Sequence, residues 1–184
     1  DGSRYFNSLT DHYDFGNPTQ LNPQMNSWTI TLWTKIDYVN PYHQMLHKWS
    51  SSAGFTLYLY NGWGGNNYFK VSDGTKTAYK YWDTTFSDGT WHQITIIINR
   101  NTNTLELYID GNPHNGAGAG TLNGMGSITT TANQILSGGN NGIHDEFTIS
   151  TTIRTNNWIK TTYNNQNNPS GFYNIYPEIA MPPP

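Results

Sequence analysis

Asp88-Gly89-Thr90-Trp91-His92-Gln93-Ile94 opens a run that continues to Asn99, and Leu105-Glu106-Leu107-Tyr108-Ile109-Asp110-Gly111 follows shortly after it. Each half couples an Asp-Gly pair to a segment of β-branched and aromatic residues, Trp91 to Asn99 and Thr104 to Ile109. Asp-Gly accepts the positive backbone angles of a tight turn, and branched side chains that crowd a helix fit a pleated strand. The stretch therefore predicts two strands punctuated by turns.

Outward from this stretch the same pattern recurs. Ser27 to Asp37 alternates, with Trp28, Ile30 and Leu32 on one face and Thr29, Thr31 and Trp33 on the other. Phe55 to Tyr60 places Phe55, Leu57 and Leu59 inward and leaves Thr56, Tyr58 and Tyr60 opposite. Both faces of that strand are partly apolar, as expected where a second layer or a ligand covers it. Tyr42 to Trp49, Tyr68 to Val71, Thr77 to Trp82, Asn133 to Leu136 and Glu146 to Ser150 are further strands, with turns at Asn61-Gly62, Asp73-Gly74 and Asn140-Asn141-Gly142. Short strands at regular spacing, without intervening helices, predict an all-β fold: a two-sheet antiparallel sandwich of the jelly-roll kind. Its expected core is Trp28, Ile30, Leu32, Leu57, Ile96, Leu107 and Phe147.

One short C-terminal helix is predicted over Thr155 to Tyr163, with Thr155 as N-cap and Trp158, Ile159 and Thr162 at helical spacing. Gly116 to Gly126 reads as a mobile glycine-rich loop, and it lacks the Lys-Ser/Thr ending of a phosphate loop. The expected organisation is one domain over residues 1–176 followed by a proline-rich tail or linker, 177–184.

The composition narrows function. Aromatic residues make up 15% of the 184, with 13 Tyr, 7 Trp and 7 Phe, while charged residues are only 11% and the net charge is −3. So many aromatics with so little charge argue against disorder. Nine Lys and Arg, scattered singly, form no stripe that could displace counterions from a phosphate backbone, so nucleic acid is not an expected partner. Without cysteine there is neither a disulfide framework nor a thiolate metal site. No apolar run is long enough for membrane insertion by a helix. The neutral, Asn-, Thr- and Tyr-rich surface suits a prokaryotic extracellular or cell-surface protein.

The Asp-Gly-Thr-Trp-His turn into a strand, then Leu-Glu-Leu-Tyr-Ile-Asp-Gly, resembles the laminin G-like members of the concanavalin A-like lectin/glucanase superfamily. Further matches fall in order: Asp11 to Asn17, Trp28 to Lys35, Lys48-Trp49-Ser50 before Gly54 to Leu59, Asp145 to Ser150, and the segment from Arg154 to Tyr173. The resemblance implies two antiparallel sheets in a jelly roll. It does not by itself imply an activity, because that superfamily hosts lectins, adhesion domains, hydrolases and structural units.

An enzyme is not expected. The hydrolases of the superfamily carry a short Glu-x-Asp-x-x-Glu strand, and the only glutamates here are Glu106, Glu146 and Glu178. No Gly-x-Ser-x-Gly turn is present, and the six histidines lack zinc-site spacing. His92, at a strand start, reads as a partly buried ring bonded to a neighbouring turn. The resemblance does imply a structural calcium ion, Ca2+, between the N-terminal segment and the last strand, with Asp11, Asp14 and Asp145 as ligands and Asn7 as an amide ligand.

Sugar binding requires exposed ring faces for C–H stacking, with amides beside them for the hydroxyls. Trp63, flanked by glycines, is the first candidate platform; Tyr58, Tyr60, Tyr79, Tyr81 and Trp82 would extend it, and Asn66 and Asn67 would supply hydrogen bonds. Recognition of this kind should depend weakly on salt. The expected function is a non-catalytic carbohydrate-binding or adhesion module with a glycan or another surface protein as partner. The same aromatic surface also fits self-association, as in a subunit of an extracellular filament, sheath or fibre.

Overall fold

Alternation along the chain becomes two stacked sheets in the computed structural model, which describes residues 4–6, 11–38, 43–60, 67–83, 88–137 and 140–172. With strands numbered in chain order, one sheet runs β1 (Arg4–Phe6), β13 (Asn140–Ser150), β3 (Trp28–Tyr38), β8 (Trp91–Asn99), β9 (Thr104–Ile109) and β10 (Asn112–Pro113). The other runs β11 (Gly118–Gly120), β7 (Thr77–Trp82), β6 (Asn67–Asp73), β5 (Ala53–Leu59), β4 (His43–Ser50), β12 (Ile135–Ser137) and β2 (His12–Asp14). Every pairing is antiparallel. The jelly-roll expectation holds.

The inward faces form one core. Trp28, Ile30 and Leu32 meet Phe55, Leu57, Leu59, Phe69 and Val71 from the facing sheet, with Ile96 and Leu107 beside them, all buried. Phe147 differs from expectation: it packs on the core but is only partly buried. A register shift between Asp145 and Thr148 breaks the alternation there, and Phe147 meets Phe15 at 5.7 Å between ring centres. Lys48 is also fully buried between the sheets; its Nζ donates to Asn17 Oδ1 and to Ala132 O at 2.6 Å. Burial lowers its pKa, and the two acceptors tie the loops around residues 17 and 132 to β4.

The glycine-rich run is not a free loop. Gly118, Ala119 and Gly120 pair with Lys80, Tyr79 and Ala78 as the edge strand of the seven-stranded sheet. A Cβ at Gly116 or Gly120 would stand 1.8 Å from Tyr81 O or 1.9 Å from Thr77 O, so only glycine permits this close backbone approach.

The predicted helix is present and longer: α1 spans Asn156–Asn167, with Thr155 as N-cap accepting from Trp158 N at 3.3 Å, and a short turn α2 follows at Pro169–Phe172. Helix α1 lies on the outer face of the six-stranded sheet. Ile159 packs there with Ile97 and Tyr108, and Tyr163 stacks on Trp33 at 5.5 Å and 12°. Residues 177–184 lie outside the described residues.

Candidate functional site

The two halves of the stretch 88–111 are joined by one imidazole. His92 Nδ1 lies 2.8 Å from Asp110 Oδ2, and its Nε2 lies 3.2 Å from Asp88 Oδ2 and 3.1 Å from Thr90 Oγ1. The Asp110 bond, with Asp88 adding to it, holds the His92 pKa above its ordinary value against the opposing effect of burial. Asp110 Oδ1 also accepts from Gln93 N at 2.9 Å, and Asp110 and Gly111 both take positive φ, 52° and 72°, to turn β9 into β10. A Cβ at Gly111 would meet Tyr163 Cβ at 2.9 Å. The residues most diagnostic of the resemblance therefore staple sheet to turn and turn to helix. His92 is a bonded structural ring, as expected from its position.

The aromatic face lies on the other sheet. In β5, β6 and β7 the inward positions are filled by Leu57, Phe69 and Ala78, so period-two alternation sends Tyr58, Tyr68, Tyr79 and Tyr81 outward. Tyr58, Tyr68 and Tyr81 stand directly opposite one another in a single cross-strand row. Tyr58 stacks on Tyr68 at 4.9 Å and 25°, Tyr79 stacks on Tyr81 at 5.4 Å and 9°, and Tyr68 contacts both at 6.0 and 5.9 Å. Gln44 precedes this row on β4, and the next row reads His47, Thr56, Lys70, Tyr79. Gln44 Nε2 donates to Thr56 Oγ1 at 2.9 Å, and Lys70 Nζ sits 4.0 Å from the Trp49 ring centre. Burial, and then the neighbouring Tyr79, hold the Tyr81 phenol above its ordinary pKa, so it remains an O–H donor. At one end of the face a cleft of about 230 Å³ is lined by Tyr81, Asp83, His114 and Asn115.

Of the residues expected to bind sugar, Tyr58, Tyr79 and Tyr81 belong to this face, and Tyr60 follows Tyr58 half-buried, its backbone N–H donating to Asn67 Oδ1 at 2.9 Å. Asn67 and Trp82 turn the other way. Both are buried on the inward side, Asn67 at the start of β6 and Trp82 within the core, because alternation places them in phase with Phe69 and Ala78. Trp63 and Asn66 lie outside the described residues. Tyr68 and Lys70 were missed as face residues, although the same alternation with Phe69 and Val71 carried the signal.

Two of the expected calcium ligands, Asp14 and Asp145, belong to different sheets. Asp14 lies on β2, where its carboxylate accepts from Gly16 N at 2.8 Å and from Asn133 Nδ2 at 2.9 Å, and these bonds lower its pKa, Gly16 first. Asp145 belongs to the opposite sheet, facing Trp33 in register, and Asp11 precedes β2. Among the described residues no group of three His, Cys, Asp or Glu side chains is arranged to hold a metal ion. Asn7 lies outside the described residues.

The six-stranded sheet carries larger hollows. One of about 340 Å³ is lined by Trp91, Asp145 and Glu146, and one of about 590 Å³ by Thr31, Arg154 and Trp158. The tyrosine sheet differs from these hollows in presenting four outward tyrosine rings in mutual contact. Among the described residues no helix is long and apolar enough to cross a membrane.

A family profile described as the concanavalin A-like lectin/glucanases superfamily matches residues 7–160. No curated protein matches the chain at a significant level. Solved structures with the same fold include the botulinum neurotoxin serotype D binding domain, at TM-score 0.70 and 17% identity over 89% of this chain and 42% of that one. The receptor binding domain of the C/D mosaic serotype gives TM-score 0.71 and 16% identity, again over 89% of this chain and 42% of that one. The serotype G binding domain gives 0.60 and 12%, over 91% and 47%. The chain thus spans less than half the length of these domains, and at such identities the likeness is one of fold.

Proposed function

Because the chain belongs to the concanavalin A-like lectin/glucanases superfamily as a laminin G-like member, we propose that it is a non-catalytic binding module that takes a carbohydrate on its tyrosine face. The setting that fits is a secreted or surface protein of a prokaryote. The observation that carries the proposal is the row Tyr58, Tyr68 and Tyr81, joined by Tyr79, on the outward side of the sheet that α1 does not cover. Pyranose rings present flat C–H faces, and phenol rings supply matching surface with a hydroxyl at the edge. Gln44, Asn115 and Asp83 border the platform with donors and acceptors for sugar hydroxyls. The structural neighbours that are named as binding domains agree with a module that recognises other molecules.

Catalysis has little support. Glu106 Oε1 accepts from Asn99 Nδ2 at 2.9 Å and its Oε2 from Tyr108 at 3.3 Å, on the sheet opposite the tyrosine face. It is held in a structural network far from the platform's row.

The test is retention on a panel of neutral and acidic polysaccharides, with particle size measured alongside. Tyr68→Ala should weaken retention about tenfold, equivalent to ~1.4 kcal/mol, while leaving the melting temperature within a few degrees. Trp63→Ala, in the link between β5 and β6, belongs in the same series. No retention on any member, together with concentration-dependent growth into filaments, would replace this reading with the assembling subunit.

A further inference from the structure

The tyrosine face carries a charge that its neighbours do not balance. Outward positions of β4 to β7 hold Gln44, His47, Thr56 and Lys70 among the aromatics, and no carboxylate. Asp83, the first acid after β7, lies past the end of that strand beside His114. Lys70 stands in mid-sheet between Thr56 and Tyr79. Its ammonium is 4.0 Å from the Trp49 ring centre and 5.7 Å from that of Tyr79, and it forms no hydrogen bond or ion pair among the described residues. His47 adds no competing charge at neutral pH, because burial, and then His12 and His43, lower its pKa.

Two ring faces steady an ammonium through their quadrupoles, but its three N–H donors remain open. A sugar lying across Tyr68, Tyr79 and Tyr81 would strip water from that ammonium. Under a neutral sugar this desolvation goes uncompensated; under an anionic one it is met by a charge-assisted hydrogen bond. We infer that Lys70 makes the face selective for anionic saccharides, with the sugar ring on the tyrosines and the carboxylate or sulfate at the ammonium. An ammonium is a point charge rather than a planar fork, so carboxylated and sulfated sugars form one class for this site. The inference rests on the tyrosine face being the binding surface. It departs from the expectation of weakly salt-dependent recognition, which composition alone suggested.

Two pairs of polymers that share a backbone and differ in charge provide the test: pectate with methyl-esterified pectin, and dextran sulfate with dextran. The wild-type chain should bind each charged member on the order of tenfold more tightly than its neutral partner at low salt, and the advantage should fall toward parity in strong salt. Lys70→Gln should remove the advantage without changing the melting temperature, weakening binding to the charged member and relieving the uncompensated desolvation under the neutral one; Lys70→Arg should keep it. Lys35→Gln, which removes the same charge from the opposite sheet, should change nothing. Equal binding of charged and neutral members, lost together in Tyr68→Ala, overturns the inference and leaves the platform standing. Survival of the charge preference in Lys70→Gln also overturns it. No retention on any of the four, while the wider panel still shows binding that needs Tyr68, overturns it as well; silence across the whole panel fails the platform first.

Discussion

His43 of β4 and His144 of β13 meet a single carbonyl: each Nε2 lies 3.2 Å from Ser137 O. A carbonyl only accepts, so both rings carry their proton on Nε2, and the buried Nδ1 of His144 is left without a partner among the described residues. Burial drives the His144 pKa from 6.5 to about 4, with His43 adding to the depression, and burial lowers His43 too. Both rings are thus neutral in the fold and more basic in the unfolded chain. The unfolded chain binds more protons below pH 6.5, so the stability these rings contribute is whole above that value and is lost as pH falls toward about 4. For His144 the loss is roughly 3 kcal/mol. Urea midpoints measured from pH 7.5 to pH 4.5 should therefore fall steeply in the wild type and less in His144→Asn, after allowing for that variant's lower starting stability. His92 acts in the opposite sense: with its pKa raised, its contribution is present at low pH and is lost as pH rises through the folded value. The sequence made the His92 staple legible, because Asp88 and Asp110 bracket it within a recognisable motif. It could not show the His43 and His144 pair, since about a hundred residues and both sheets separate the two rings and only the stacking of the sheets brings them to Ser137.

Strand β11 shows how composition misleads about an element. A glycine-rich run signals mobility when nothing approaches it and tight packing when a backbone does, and the letters are the same in both cases. Here Tyr81 O and Thr77 O occupy the space of a side chain, and Gly120 adds a φ of 73°. Gly120→Ala should thus destabilise the domain by about 1 to 3 kcal/mol, through both collision and left-handed strain. Hydrogen exchange should show β7 losing protection while β8 and β9 keep theirs; uniform behaviour of both sheets would mean β11 contributes no edge. Helix α1 illustrates the opposite case. Its start was legible from the Thr155 cap, but its end was not, because the last turn is kept helical by tertiary bonds. Gln166 Oε1 accepts from Trp33 Nε1 at 2.6 Å and from Gln93 Nε2 at 3.1 Å, contacts no local pattern encodes.

At the scale of the molecule the two sheets divide the labour: one is covered by α1 and carries the family's motif, the other presents the tyrosines. The fold was legible because period-two alternation names inward faces strand by strand, and Leu107 tests that reading. It is buried opposite Ile96, and Leu107→Ala should lower stability by about 2 to 5 kcal/mol in denaturant melts; a loss below about 1 kcal/mol would mean the face is wrongly assigned. The site was only half legible, since alternation also sends Trp82 and Asn67 inward and no pattern along one strand reveals which tyrosines line up across three. Those three strands have a further consequence, in time rather than in space. β5, β6 and β7 are consecutive, so their pairing closes short stretches of chain, whereas β3 must find β8, Thr29 opposite Ile97, and then β13, Thr29 opposite Ser150. Short closures form fast and long ones slowly. During refolding the tyrosine rings should come together early, giving a near-ultraviolet circular dichroism change that runs ahead of amide protection in β13, so the tyrosine face is built before the molecule that carries it is complete.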